Sequence, residues 1–166
     1  KLWSMLKVAL ENALLKLKEM RSEEGQKLAM DIQNRCDLLK NYIEDIEKYS
    51  YNVVIDYKEK LKNRISDILE DPSIIDENRL AQEVAIYADK SSITEEIVRF
   101  KSHIEQLKNT VVKNESIGRK IDFLIQEMNR EINTIGSKAS SLDNTQAVID
   151  MKLYVEQLRE QALNIE

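Results

Sequence analysis

From Leu2 to Leu69 the chain runs without a proline, and its apolar residues return at spacings of three and four. Leu6, Leu10, Leu14 and Leu17 open the series, Leu28, Ile32, Leu39, Ile43 and Ile46 continue it, and Val53, Tyr57, Leu61, Ile65 and Ile68 close it. That is the period of an amphipathic helix, and it predicts very long helices. Gly25 and the Tyr49 to Asn52 stretch are where a bend is expected, because Gly loosens a helix interior by roughly 1 kcal/mol relative to Ala. A compact globule alone does not stabilise helices of this length. They are expected to pack as an antiparallel pair or against another subunit, which makes oligomerisation a physical expectation.

The remaining sequence is punctuated more often. Pro72 ends the long region, because the residue before a proline is pushed out of the α conformation, and residues 70–76 read as a loop. A shorter helix is expected over Glu77 to Ala88, with Leu80, Val84 and Tyr87 inward. Ser92-Ile93-Thr94-Glu95 has the form of a capping box opening a helix to about Val112, which would bury Ile97, Phe100, Ile104, Leu107 and Val111. After a break at Asn114 to Ile117, the next helix runs from Gly118 to about Ser137. Ser140 to Asn144 separates it from a last helix ending near Asn164.

Only 3 Gly, 1 Pro and 5% aromatic residues leave little material for sheets. The expected fold is all-α, with an extended antiparallel hairpin or arm over 1–70 and a smaller helical bundle over 71–166 that carries the site. The chain starts at Lys1 without an initiator Met and enters a helical pattern at once, as expected of a piece of a longer chain. Cys36, the only cysteine, cannot form an intrachain disulfide or a thiolate zinc site. No stretch approaches the roughly 18 to 20 apolar residues that span a bilayer, and Lys1 to Leu17 lacks a signal peptide's uninterrupted apolar core. No membrane association and a cytoplasmic location are therefore expected. The formal net charge of −5 argues against nucleic-acid binding through bulk charge, so any such contact must be local or completed elsewhere.

The segment GRKIDFLIQEMNREINTIGSK, Gly118 to Lys138, is the richest in chemistry. Ile121, Leu124, Ile125, Met128, Ile132 and Ile135 form one apolar stripe that orients the helix. Asp122, Gln126, Asn129 and Asn133 run along one flank and Glu127 and Glu131 along the other, with Arg130 roughly opposite the stripe. Glu127 and Glu131, one turn apart, are suited to share an oxygen-ligated Mg²⁺ or Mn²⁺, to which Asp122, Glu95 or Glu96 would add if the helices pack together. Pairs of this kind are also common on solvated helices.

His103 is the only histidine, which excludes multi-histidine zinc sites and a two-histidine acid/base pair. Glu96, Arg99, His103 and Gln106 fall on one strip of their helix, where an imidazole can be poised between a carboxylate and a guanidinium. The same spacing suits a structural histidine bonded to a carboxylate. Arg99, Lys113, Arg119, Lys120, Arg130 and Lys138 are placed to line a groove for phosphates, with Gln126, Asn129 and Asn133 offering amides to sugars or base edges. Inter-helix ion pairs are the alternative use of these cations. Aromatics for stacking unpaired bases are scarce: Phe100 and Phe123 are the nearest, and at least Phe100 looks buried, which favours recognition of a phosphate backbone over reading of a base sequence.

GRKIDFLIQEMNREINTIGSK followed by YVEQLREQALNIE resembles the C-terminal part of the YicC-like endoribonucleases. ALENALLKLKEMRSEEG, DENRLAQEVAIYADK and ITEEIVRFKSHIEQL resemble the same family in the same order, so nearly the whole chain is covered. The resemblance implies divalent-metal-dependent cleavage of single-stranded RNA, a ring-like homo-hexamer, and a further strand-containing N-terminal domain with no counterpart in these residues. Glu95, Glu96, Arg99, His103, Arg119, Lys120, Gln126, Glu127, Asn129, Arg130 and Glu131 match its motifs. On this reading His103, Glu96, Glu127 and Glu131 are the catalytic candidates, and Glu127, Glu131 and Asp122 would hold the metal. Arg99, Arg119, Lys120, Gln126, Asn129, Arg130, Asn133 and Lys138 would bind RNA. Ser92 stands where the family's pattern has an aspartate: if that residue only caps the helix Ser92 serves equally, and if it binds metal this chain is expected to be a weaker enzyme. The competing readings are a non-catalytic RNA-binding adaptor for another nuclease and a purely structural coiled-coil scaffold.

Overall fold

The computed structural model describes residues 2–69, 76–112, 118–138 and 142–162, with side chains in the last segment described from residue 145. Among the described residues there are helices and no strand: α1 (Leu2–Ile68), α2 (Glu77–Ser91), α3 (Thr94–Val111), α4 (Gly118–Lys138) and α5 (Leu142–Ala162). The all-α expectation is met. The expected loop at 70–75, Lys113, the break at Asn114 to Ile117, Ser140 and the terminus at Asn164 lie outside the described residues.

The long apolar series forms one helix of 67 residues, about 100 Å long at 1.5 Å per residue. Neither expected bend interrupts it. Gly25 sits in the exposed part of α1, and a Cβ there would meet nothing within 4 Å. Its flexibility is overridden by good helix formers on both sides. Around Tyr49 to Asn52, Ser50 Oγ donates to the Glu47 carbonyl at 2.7 Å, a bond satisfied within the helix.

Only the middle of α1 reaches the core. Ile32, Cys36, Leu39, Ile43 and Ile46 are buried in one cluster with Ile97, Phe100, Ile104 and Leu107 of α3, the apolar stripe of α4, and Val148, Met151, Val155 and Leu158 of α5. α1 touches α3 and α5, and α4 lies between those two, giving a four-helix arrangement. A domain boundary near residue 70 therefore does not coincide with a boundary of the core, because α1 supplies one wall of the bundle. Ion pairs from Lys101 to Glu47 at 2.6 Å and from Lys108 to Asp37 at 2.7 Å edge the α1/α3 contact. Beyond the bundle α2 folds back along α1, with Tyr87 stacked on Tyr57 at 3.7 Å between ring centroids. The expected series Leu6, Leu10, Leu14 and Leu17 is exposed.

Helix starts depart from expectation in one place. α2 is capped by Asp76, whose carboxylate accepts from the backbone N–H groups of Asn78 and Arg79 at 3.0 and 3.3 Å. The capping box does not form: α3 is preceded by Ile93 at the cap position, with no side-chain capping bond. Ile93 is instead buried in the core, so packing sets this turn. Ser92 closes α2, and its carbonyl accepts from Lys138 Nζ at 2.9 Å.

Candidate functional site

α3 and α4 pack antiparallel, and their polar flanks meet along one seam. At its start Lys138 Nζ lies 2.7 Å from Glu96 Oε1. Seven residues back along α4, Glu131 Oε1 is 3.7 Å from Arg99 Nη1, and Arg99 also pairs with Glu95 on its own helix. One further turn along each helix brings His103 of α3 and Glu127 of α4 to about the same level, since an antiparallel pair advances in opposite directions at 1.5 Å per residue. Glu127 in turn accepts from Arg130 at 2.5 Å. The seam thus alternates carboxylate and cation, and the antiparallel register puts half-buried His103 at the level of Glu127.

Burial raises the stakes of these pairs. Glu96 and Glu131 are the only carboxylates buried among the described residues. Burial of Glu96 opposes its ionisation, but the Lys138 hydrogen bond, a backbone hydrogen bond and the nearby Lys138 and Arg99 charges outweigh it and hold the carboxyl below its ordinary range. Its Oε2 and His103 Nδ1 are buried without a hydrogen-bond partner among the described residues. Gln161 Oε1, between α1 and α5, shares this state, and buried polar atoms are seldom left unmatched.

The other expected site residues divide. Arg119, Lys120, Gln126, Arg130 and Asn133 are exposed on α4, and Asn129 is half-buried. Gln126 donates to Asp122 at 2.8 Å. Lys138, expected among the RNA-binding cations, has its ammonium engaged by Glu96 and the Ser92 carbonyl. Asp122 is not brought to Glu127 and Glu131: it lies on the far flank, roughly 140° and 180° around the helix from them at 100° per residue. Among the described residues no three His, Cys, Asp or Glu side chains gather into a group able to hold a metal ion. The set Asp122, Glu127 and Glu131 therefore does not fit a divalent cation.

The two nearby aromatics separate, and one network escapes the sequence reading. Phe123 stands 58% exposed beside the seam, whereas Phe100 is fully buried as expected. A network joins α1 to α5, where Asp31 accepts from Arg35 at 2.9 Å and also from Gln161, and Arg35 donates to Gln157. These hydrogen bonds, Arg35 first and Gln161 second, lower the Asp31 carboxyl from its usual range. No local sequence signal marks this network, because it joins residues more than a hundred positions apart.

No helix among the described residues is long and apolar enough to cross a membrane. The family model described as "Endoribonuclease YicC-like, C-terminal" matches residues 46–166. The chain is 73% identical over 165 residues to "Probable endoribonuclease YicC" of Clostridioides difficile (strain 630), covering 99% of this chain and 56% of that relative. It is 33% identical over 161 residues to the protein of the same name from Haemophilus influenzae, covering 97% of this chain and 55% of that relative. The chain thus spans about half the length of the curated relatives it matches. With the matched region covering all of α2 to α5 and hence the whole seam, the chain belongs to the YicC-like endoribonuclease family.

Proposed function

We propose that the α3/α4 seam is the RNA-cleaving face of an endoribonuclease acting on single-stranded RNA in a reducing cytoplasm. The observation that carries this reading is the buried, unpartnered Nδ1 of His103 in a row of paired charges. An imidazole in that position can hold or move a proton at a phosphodiester, which is general acid–base work. Arg99 and Glu131 fix its surroundings, Glu96 and Lys138 lock the helix ends, and Arg119, Lys120 and Arg130 supply positive charge for phosphates. Divalent-cation dependence belongs to the proposal as a property of the reaction to be measured.

The protein is further proposed to work as a homo-oligomer, up to the hexamer that the family resemblance suggests. The exposed run Leu6, Leu10, Leu14 and Leu17 on α1 supports it, since such a stripe needs a partner to leave water. Light scattering of the intact protein checks this.

A second reading, a non-catalytic RNA adaptor, is favoured by one observation. Glu95, Glu96, Glu127 and Glu131 are each already ion-paired within the chain. End-labelled single-stranded RNA incubated with the intact protein, with Mn²⁺ and with EDTA, separates the two. Metal-dependent cleavage supports the nuclease. Salt-sensitive binding that survives EDTA, with no cleavage at any protein concentration, supports the adaptor.

A further inference from the structure

We infer that Phe123 is a stacking platform for one unpaired base of the RNA, an inference that rests on the reading of the seam as an RNA face. Phe123 is 58% exposed, off the apolar stripe of α4, which is buried throughout. Its neighbours three and four residues away are Lys120, Gln126, Arg119 and Glu127, with Arg130 two turns on, so no apolar side chain on this face of α4 adjoins it. Arg119 and Lys120 are exposed and bring two positive charges to this face in a chain of net charge −5.

Two kinds of occupant can cover an exposed aromatic ring: an apolar protein surface or a flat π-face. The continuous apolar stripe at the start of α1 suits a protein surface. An isolated ring set among Arg119, Lys120, Gln126 and the Arg130–Glu127 pair suits a nucleobase whose phosphates Arg119 and Lys120 meet. Phe123 lies one turn from Glu127, about 6 Å along the helix axis, so a base stacked on it belongs to a strand that continues toward His103. Recognition of this kind tolerates any base, because every base has a π-face.

The test measures binding by the intact protein in EDTA, using labelled oligoadenylate RNA and an abasic ribose-phosphate oligomer of the same length. Phe123→Ala is expected to weaken oligoadenylate binding roughly tenfold and leave abasic binding unchanged. Phe123→Tyr should restore the affinity and Phe123→Leu should not. Since the ring is exposed, none of these changes opens the core. Unchanged oligoadenylate binding in Phe123→Ala, equal loss for both oligomers, full affinity in Phe123→Leu, or a changed oligomeric state would each overturn the inference. If Arg119→Gln and Lys120→Gln lose binding while Phe123→Ala does not, the RNA face stands and the stacking role falls. If the unmodified protein binds neither oligomer, both fall.

Discussion

Lys138 Nζ sits 2.7 Å from Glu96 Oε1 and so ties the last turn of α4 to the first turn of α3. Lys138→Met removes the partner of a buried carboxylate and is expected to destabilise the fold by about 1–3 kcal/mol in chemical denaturation at pH 7. A loss below the error of the measurement would mean that water reaches Glu96 freely.

The same pair has a pH signature. The Glu96 carboxyl titrates below its ordinary range in the folded chain, after the opposition of burial has been outweighed by Lys138. Its contribution to stability is therefore full above the unfolded carboxylate range and is lost as the pH falls through the folded value. Glu96→Gln should be less stable than the unmodified chain at pH 7, and the gap should close below about pH 4. A gap independent of pH would contradict the assignment.

Glu131 and Arg99 are expected to be coupled, because Glu131 is 7% exposed and Arg99 approaches it across the seam. Arg99→Gln and Glu131→Gln should each destabilise, and the double variant by less than their sum, with a coupling of about 0.5–3 kcal/mol. Additive losses would show that the 3.7 Å pair carries nothing.

The two glycines at 25 and 136 should respond differently to alanine. At Gly25 a Cβ meets nothing, so Gly25→Ala should slow local amide exchange in α1 by the gain of about 1 kcal/mol in helix propensity. At Gly136 a Cβ would come to 3.0 Å from Val148 Cγ1 on α5, so Gly136→Ala should gain less or lose stability. Equal gains would mean that α4 and α5 have room to separate.

Cys36 should be inert in the folded chain. Burial pushes its thiol up to about 12, so the thiolate is scarce at pH 8. A thiol reagent should react only after denaturant is added; rapid labelling of the native protein would show that the α1 wall of the core opens.

Helix period carried most of the fold into view, because it reports local geometry. The stripes of α3 and α4, from Ile97 to Val111 and from Ile121 to Ile135, are buried as their spacing requires. What stayed hidden depends on which faces meet. Period alone could not show that only Ile32 to Ile46 of α1 joins the core while Leu6 to Leu17 stays outside. At Ser92 a local motif lost to packing, since burying Ile93 sets the turn that the capping box would have made. Within the site, residue types and flanks were legible, but pairing was not. Lys138 and Glu96 are 42 positions apart, and only the antiparallel register of α3 and α4 brings them together. Asp122 was legible on the flank opposite Glu127 from helix angle, and the packing of the helices does not bring the two together.

The most direct test of the central claim is the single-turnover cleavage rate of single-stranded RNA by the intact protein and its His103→Ala variant, at protein concentrations that saturate binding in both. The account predicts that cleavage falls by about 10²–10⁴-fold while RNA affinity and thermal stability stay near those of the unmodified protein. Cleavage at an unchanged rate by His103→Ala would contradict it and move the chemistry away from the α3/α4 seam.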